Sequence, residues 1–348
     1  MRIGAICRMD DTGLGNQAKA FFDNIPYLDV ITCKALVIDV SPISQAKQNL
    51  DWFPNQMVYR LGKLGQGVIP EGLILEFIKD IDVLVSFETF YDYNIIDICR
   101  ANGVKTVLQL NYEFLEYPSS LPYPDLFAAP SLWHYKDIPE PKCYLPVPVD
   151  VSKFNAVRKY NTFVHNVGKT AVYNRNGTDT LMKCLKYVKS DITLTINSQQ
   201  RIDFVQMAGG TIPHNVKVIV NHENKPNYWD NYRGGVLVMP RKYGGLSLCY
   251  NEAMAACMPI ITTDIEPNNL WLPKEWLVPA TKKITFKCKQ DIDVYEADEK
   301  ELARKIDDFC VKEYYDSQFE NTRLNRWELS WESWRTEYYK MFQKLVNG

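Results

Sequence analysis

The chain has 348 residues, of which 46% are hydrophobic and 24% charged, with 40 Lys and Arg against 42 Asp and Glu for a formal charge of −2. That length predicts two domains with a core each, and the composition excludes a disordered chain. The slightly acidic balance lacks the overall positive field with which many nucleic-acid binders hold phosphate backbones.

In chain order, "RIGAIC" (2–7) reads as a strand, "DDTGLGNQ" (10–17) as a glycine turn, and "AKAFFDNI" (18–25) as a helix with Phe21, Phe22 and Ile25 on one side. The pattern recurs with "KALVIDV" (34–40) as strand, "GLILEFIKDI" (72–81) as helix, "DVLVSFE" (82–88) as strand, "YNIIDICRANG" (93–103) as helix and "KTVLQL" (105–110) as strand. Near-continuous apolar strands between amphipathic helices indicate a parallel sheet covered on both faces. Prolines crowd 117–150, and "KCYLPVPVDVSKF" (142–154) has the extended character of a connection, which places a domain boundary near 150.

The programme then restarts with "TFVHNVGK" (162–169), "NRNGTDTLMKCLKYV" (174–188), "DITLTIN" (191–197), "NVKVIV" (215–220), "GVLVMP" (235–240) and "PIITTD" (259–264). Two helical patterns follow, over 298–317 and 331–346; in the second, Trp331, Trp334, Tyr338 and Phe342 recur at three- or four-residue spacing, as in a helix packed on a domain surface. The expected architecture is α/β, two doubly wound domains over 1–150 and 151–330, with a terminal helix over 331–348 packing back towards the first.

Nine cysteines form an odd, scattered set without a C-x-x-C pair, and several lie in apolar runs, which points to a reducing compartment. The four histidines show no ligand spacing, so no tightly held metal is expected. Acidic residues interrupt the amino terminus before an apolar segment develops, and no window reaches the run of about 18 apolar residues that spans a bilayer, so a cytoplasmic protein is expected.

The most informative stretch is "MPRKYGGLSLCYNEAMAACMPIITTD" (239–264). Pro240 should end a strand, Gly244 and Gly245 make a turn, and Ser247 can cap a helix carrying Glu252. Backbone N–H groups at that helix start favour a phosphate or polar sugar. Glu252, one turn inside and amid small residues, either faces solvent or accepts hydrogen bonds such as those of ribose hydroxyls.

The segment "YGGLSLCYNEAMAACMPIITTD" is similar to the donor-binding segment of retaining glycosyltransferases of the GT-B fold, family 4-like and of a short, phage-type form. That resemblance implies two Rossmann-like domains facing across a cleft. It implies that Glu252 holds the donor ribose and that Gly244, Gly245, Leu246 and Ser247 contact donor sugar and phosphates. The family's first glutamate, which grips a sugar hydroxyl, falls on Gly244, so another residue supplies that contact, the donor differs from the common hexoses, or activity is lost. "HNVGKTAVYNRNGTDTLMKCL" resembles the element that clasps the diphosphate, on which Lys169 and Arg175 are the two cations; solvated loop cations are the alternative.

In the first domain the glycine loop after the first strand matches more loosely, and Gly13, Gly15, Asn16 and Gln17 would approach the donor diphosphate. Ala18 stands where a dinucleotide fingerprint needs its third glycine, which argues against a dehydrogenase. Open α/β sheets bind ligands at the carboxyl ends of strands. There the acceptor-side candidates are Asp10, Asp11, Glu88, Asn111 and Glu113, with Asp11 and Glu113 as catalytic candidates; capping or solvation is the competing role for each.

The expected activity is transfer of a hexosyl or pentosyl group from a nucleotide-sugar, a UDP-sugar first, to a hydroxyl with retention of configuration and no tightly bound cofactor. Resemblance to phage-encoded transferases adds a hydroxymethylated pyrimidine in DNA as an acceptor class, in the host cytoplasm; glycan, protein and small-molecule acceptors stay open. The alternatives are a catalytically silent sugar-nucleotide binder and a nucleotide-sugar epimerase on the same scaffold.

Overall fold

The computed structural model describes residues 1–27, 32–40, 47–61, 68–116, 121–168, 172–223, 225 and 227–348. Contacts divide the chain into Met1–Pro148 with Trp331–Gly348, and Val149–Ser330. Among the described residues no helix is long and apolar enough to cross a membrane.

The first unit contains strands β1 (Arg2–Cys7), β2 (Thr32–Asp39), β3 (Gln56–Arg60), β4 (Val83–Glu88), β5 (Lys105–Leu110), β6 (Leu126–Ala129) and β7 (Lys142–Tyr144), paired in the order β3-β2-β1-β4-β5-β6-β7. All pairs are parallel. Alternate residues of each strand feed opposite faces. Ala5, Val85 and Val107 join one apolar cluster, while Ile6, Leu84 and Leu108 join the other. Helix α1 (Gly13–Asn24) and the terminal helix (Trp331–Asn347) cover the first face, where Phe21 meets Phe87, Trp331 and Phe342 edge-on at 5.4, 6.4 and 6.4 Å. Helices α2 (Glu71–Ile78) and α3 (Asn94–Ala101) cover the second through Ile74, Phe77, Ile95 and Ile96.

The second unit repeats the plan with β8 (Thr162–Gly168), β9 (Ile192–Ser198), β10 (Val216–Asn221), β11 (Val236–Met239), β12 (Ile260–Thr263) and β13 (Leu277–Val278), in the order β10-β9-β8-β11-β12-β13. An antiparallel hairpin, β14 (Ala280–Lys287) and β15 (Asp291–Ala297), is added. The helices are α4 (Thr178–Cys184), α5 (Phe204–Met207), α6 (Leu248–Ala255), α7 (Glu299–Asp308) and α8 (Lys312–Asn325).

Several elements differ from the sequence expectation. Helix α1 starts at Gly13, so the expected glycine loop is its first turn. The short edge strands β3 and β7 and the hairpin strand β14 carry no clear period, because their residues are mostly half-buried or exposed. The helical pattern over 298–317 is two helices, α7 and α8.

One buried histidine ties this sheet to its helix layer. His165 on β8 is inaccessible; its Nδ1 lies 2.7 Å from the Val238 carbonyl and its Nε2 2.9 Å from Thr178 Oγ1. Burial drives its pKa from 6.5 down to about 4, against the Val238 contact, which favours the charged form. The unfolded chain therefore takes up this proton first, and stability falls as pH drops from about 6.5 towards about 4. We predict a loss of about 3 kcal/mol over that window. Urea unfolding at pH 7 and pH 4.5 checks it: His165→Asn should lose less stability than wild type between the two.

Candidate functional site

Both sheets reverse their strand order once, between β1 and β4 in the first unit and between β8 and β11 in the second. At such a switch point the loops leaving the two strands diverge, and a crevice opens at the carboxyl ends. Most of the stretches singled out in the sequence follow these four strands, while Asn111 and Glu113 follow β5.

In the second unit the loops after β8 and β11 are stitched together. Gly177 has φ +71°, and a Cβ there would stand 1.9 Å from the Pro240 carbonyl oxygen, so only glycine permits the approach. Lys242 N–H donates to the Arg175 carbonyl at 2.8 Å, and the Tyr243 hydroxyl to the Val172 carbonyl at 2.9 Å. The Lys242 side chain, 4% exposed, pairs with Asp179 at 2.8 Å and with Glu296 of β15, whose other oxygen accepts from Thr180 at 2.7 Å. Phe286 of β14 packs on Tyr243 and Tyr173, with ring centroids 5.1 and 5.2 Å away. The hairpin thus holds the loop that follows β11.

Beyond Lys242 the loop turns through Gly244, at φ +113°. A Cβ at Gly244 would lie 2.7 Å from Arg241 Nη2 and 3.0 Å from Arg175 Nε, so two guanidinium groups occupy the side-chain space of this residue. Arg241 is 4% exposed, and its Nε and Nη1 donate to the carbonyls of Tyr243 and Leu246 at 3.0 and 3.1 Å. Arg175 is half-buried against the Tyr243 ring, 5.5 Å from its centroid. Gly244 and Ser247 are buried, while Gly245 and Leu246 are half-buried. Ser247 occupies the N-cap position of α6 but makes no capping bond; its hydroxyl is buried without a hydrogen-bond partner. An orphaned hydroxyl at a helix start, where the first N–H groups have no partner within the preceding turn, is a binding-competent arrangement.

Glu252 lies inside α6, 7% exposed, and accepts a short hydrogen bond from the Tyr232 hydroxyl. It therefore does not face solvent. Burial raises its pKa from 4.5 to about 7, while the Tyr232 bond pulls the other way. Lys169 lies outside the described residues.

The first-unit candidates separate into two groups. Asp10 is fully buried and engaged by the Arg8 guanidinium at 2.6 Å and by Thr12 N–H at 3.2 Å, which fixes the loop after β1. Gly13, Gly15, Asn16 and Gln17 belong to α1: Gly13 is exposed, a Cβ on Gly15 would stand 1.9 Å from the Asp10 carbonyl oxygen, and Asn16 N–H bonds Thr12. Gln17 points inward, donating to Gln109 at 2.8 Å; Gln109 in turn donates to the Tyr338 hydroxyl and the Leu145 carbonyl. Its amide nitrogen thus serves the core and not a loop. Asp11 is half-buried, with its N–H on the Lys47 carbonyl.

Glu88 and Asn111 come together at the carboxyl ends of the paired strands β4 and β5, with Asn111 Nδ2 donating to Glu88 Oε1 at 3.1 Å. Glu88 holds φ +70° and Tyr91 φ +61°, left-handed conformations costly for such residues and often stored at functional sites. Glu113 is buried in the turn after β5.

Sequence reasoning did not single out Arg241, Lys242, Asp179, Glu296 or Tyr232. Adjacent cations between a strand-ending proline and a diglycine were the available signal for the first two; the acids and Tyr232 arrive from remote segments.

Taken together, the two sheets define the GT-B class of fold, two Rossmann-like domains. Among solved structures the chain is similar to a sucrose-phosphate synthase (tll1590) from Thermosynechococcus elongatus, at 15% identity, 99% coverage of both chains and a TM-score of 0.65. It is similar to a glycosyltransferase from Rickettsia africae, at 12% identity, with 100% of this chain and 99% of that one covered and a TM-score of 0.70. It also matches Anabaena Alr3699/HepE, solved in complex with UDP-glucose, at 10% identity, 99% and 100% coverage and a TM-score of 0.68. No family model and no curated protein sequence matches the chain.

The raised pKa of Glu252 carries a stability signature. The unfolded carboxyl ionises near 4.5 and the folded one near 7, so stability present at pH 4.5 is lost as pH rises through 7. Glu252→Gln removes the ionisation; its stability relative to wild type should rise by about 3 kcal/mol between pH 5 and pH 8.5, read by paired denaturant titrations.

Proposed function

We propose that this chain is a glycosyltransferase that moves a glycosyl unit from a UDP-sugar to an acceptor hydroxyl with retention at the anomeric carbon. The observation that carries the reading is the start of α6: a buried Ser247 hydroxyl unpartnered among the described residues, at the N-terminus of a helix at a switch point, beside Arg175 and Arg241. The GT-B fold shared with HepE, a protein solved with UDP-glucose, supports a UDP-sugar as the ligand.

The diphosphate sits at the α6 N-terminus, with Arg175 supplying charge, and Glu252 accepts from the ribose. The anomeric carbon–oxygen bond to the diphosphate breaks and the acceptor oxygen bonds that carbon, while its proton passes to the departing phosphate oxygen. Fixed cations stabilise the charge that grows on the leaving group. The reading requires no covalent protein nucleophile.

The acceptor binds the first unit near Glu88, Asn111, Asp11 and Glu113. That unit holds 15 Lys and Arg against 20 Asp and Glu, a formal charge of −5. Such a balance repels a polyanion and weighs against hydroxymethylated DNA as acceptor, favouring an uncharged hydroxylated molecule. The bare Gly244 supports a second reading, a silent sugar-nucleotide binder; binding without turnover across a panel of donors and acceptors would favour it.

A thermal-shift screen with UDP, GDP and ADP tests the nucleotide, since a ligand of the native state raises the melting point. UDP should give the largest shift. Glu252→Ala should weaken UDP binding roughly tenfold to a hundredfold with the fold intact. An unchanged Kd removes Glu252 from the site.

A further inference from the structure

A buried carboxyl recognises a ligand hydroxyl best when its oxygens are already held in one orientation, because the ordering is then not charged to binding. Among the described residues the side chain of Glu252 has one hydrogen-bond partner, the Tyr232 hydroxyl on Oε2, and Oε1 accepts from none of them. One oxygen is engaged by protein and the other is left for a ligand.

Tyr232 is itself tightly held. It is 3% exposed, its ring meets Phe154 edge-on at 5.9 Å, and its N–H donates to the Trp229 carbonyl at 3.0 Å. The chain that leaves it runs through Gly234 and Gly235, where a Cβ would stand 2.2 Å from the Val157 carbonyl oxygen and 2.3 Å from that of Thr162. Neither contact admits a side chain, so the backbone is fixed on both sides of the tyrosine. The phenol also reaches Cys249, in the first turn of α6.

Few charges surround the carboxyl. Cys249 is the titratable neighbour on its own helix, and Arg241, in the loop after β11, acts on Cys249. Strand β12 contributes only isoleucines and threonines, and Arg326, Arg323 and Glu320, on and just after α8, face Cys257 beyond the other end of α6. Among the described residues no ion pair reaches Glu252. Burial pushes its pKa up, and the Tyr232 hydroxyl is the group that favours the ionised form.

We propose that Tyr232 is a positioning residue of the donor site, whose hydroxyl holds one oxygen of Glu252 so that the other is set to accept from a ribose hydroxyl. The inference rests on the ribose role of Glu252 in the proposed function. Tyr232 acts through the carboxyl and need not touch the nucleotide.

Calorimetry with UDP and 2′-deoxy-UDP between pH 6 and pH 9 reads the ribose contact as the ratio of two Kd values, from which the diphosphate titration common to both ligands cancels. In the wild type UDP should bind about tenfold tighter than 2′-deoxy-UDP at pH 8, and the preference should shrink as pH falls through about 7, where Glu252 takes up its proton. Tyr232→Phe keeps the packed ring, and Glu252 can stay neutral without the phenol, so the fold is kept. The variant should cut the preference below about threefold at pH 7.5 and move its midpoint to higher pH, because loss of the bond raises the carboxyl pKa further. In a Glu252→Ala background the same substitution should change either Kd by less than about twofold, since nothing is left for it to act through. A Tyr232→Phe variant that keeps the wild-type preference and midpoint, or weakens both ligands equally at every pH, overturns the positioning role and leaves the proposed function standing. An undiminished effect of Tyr232→Phe in the Glu252→Ala background overturns it too. If the wild type binds UDP and 2′-deoxy-UDP alike, Glu252 is not the ribose contact and the inference falls while the nucleotide reading stands. Absence of UDP binding removes the proposed function and this inference together.

Discussion

The candidate donor site depends on the burial of the Lys242 ammonium between Asp179 and Glu296. Three segments remote in sequence meet at this cluster: the loop after β11, the start of α4 and the added hairpin. Taking a lysine out of water is unfavourable unless its partners are fixed, and removing one partner of such a cluster typically costs about 3–5 kcal/mol. The cluster therefore commits the loop to one path, along which Arg241 points at Gly244 and Ser247 begins α6. The Gly177–Pro240 contact acts in the same sense, because no side chain fits between the two loops.

Charge is divided unevenly between the two units. The first carries a formal −5; the second has 25 Lys and Arg against 22 Asp and Glu, a formal +3. The near-zero total conceals this division. Under the proposed function, the cationic second unit favours an anionic donor and the anionic first unit favours an acceptor without phosphate charge. In the second unit the cations near the switch point are also the most tightly held, with Arg241 and Lys242 both buried.

Burial in the second unit pushes Glu252 and His165 each towards its neutral form, which leaves the histidine uncharged and the glutamate about half ionised near pH 7. Burial raises the acid to about 7 and lowers the base to about 4. The histidine bridges Val238 and Thr178 and serves packing alone. The glutamate sits within α6, where a hydroxyl-bearing ligand would favour its ionised form and draw the proton off.

Alternation of apolar strands with amphipathic helices determined the two parallel sheets, since strands buried on both faces must be apolar throughout. The diglycine turn and the helix bearing Glu252 were equally legible, because a strand end, a turn and a cap are local features. Tertiary structure alone decided the rest. Gln17 turned into the core because Gln109 and Tyr338, remote in sequence, offered it a buried partner. Asp10 was taken by Arg8, and Glu252 became buried only once Tyr232 closed over it. The hairpin carrying Glu296 and Phe286 has no local signature of its target. Its meaning comes from Lys242 and Tyr243, and a contact between segments some 50 residues apart is set by packing energy that no local pattern encodes.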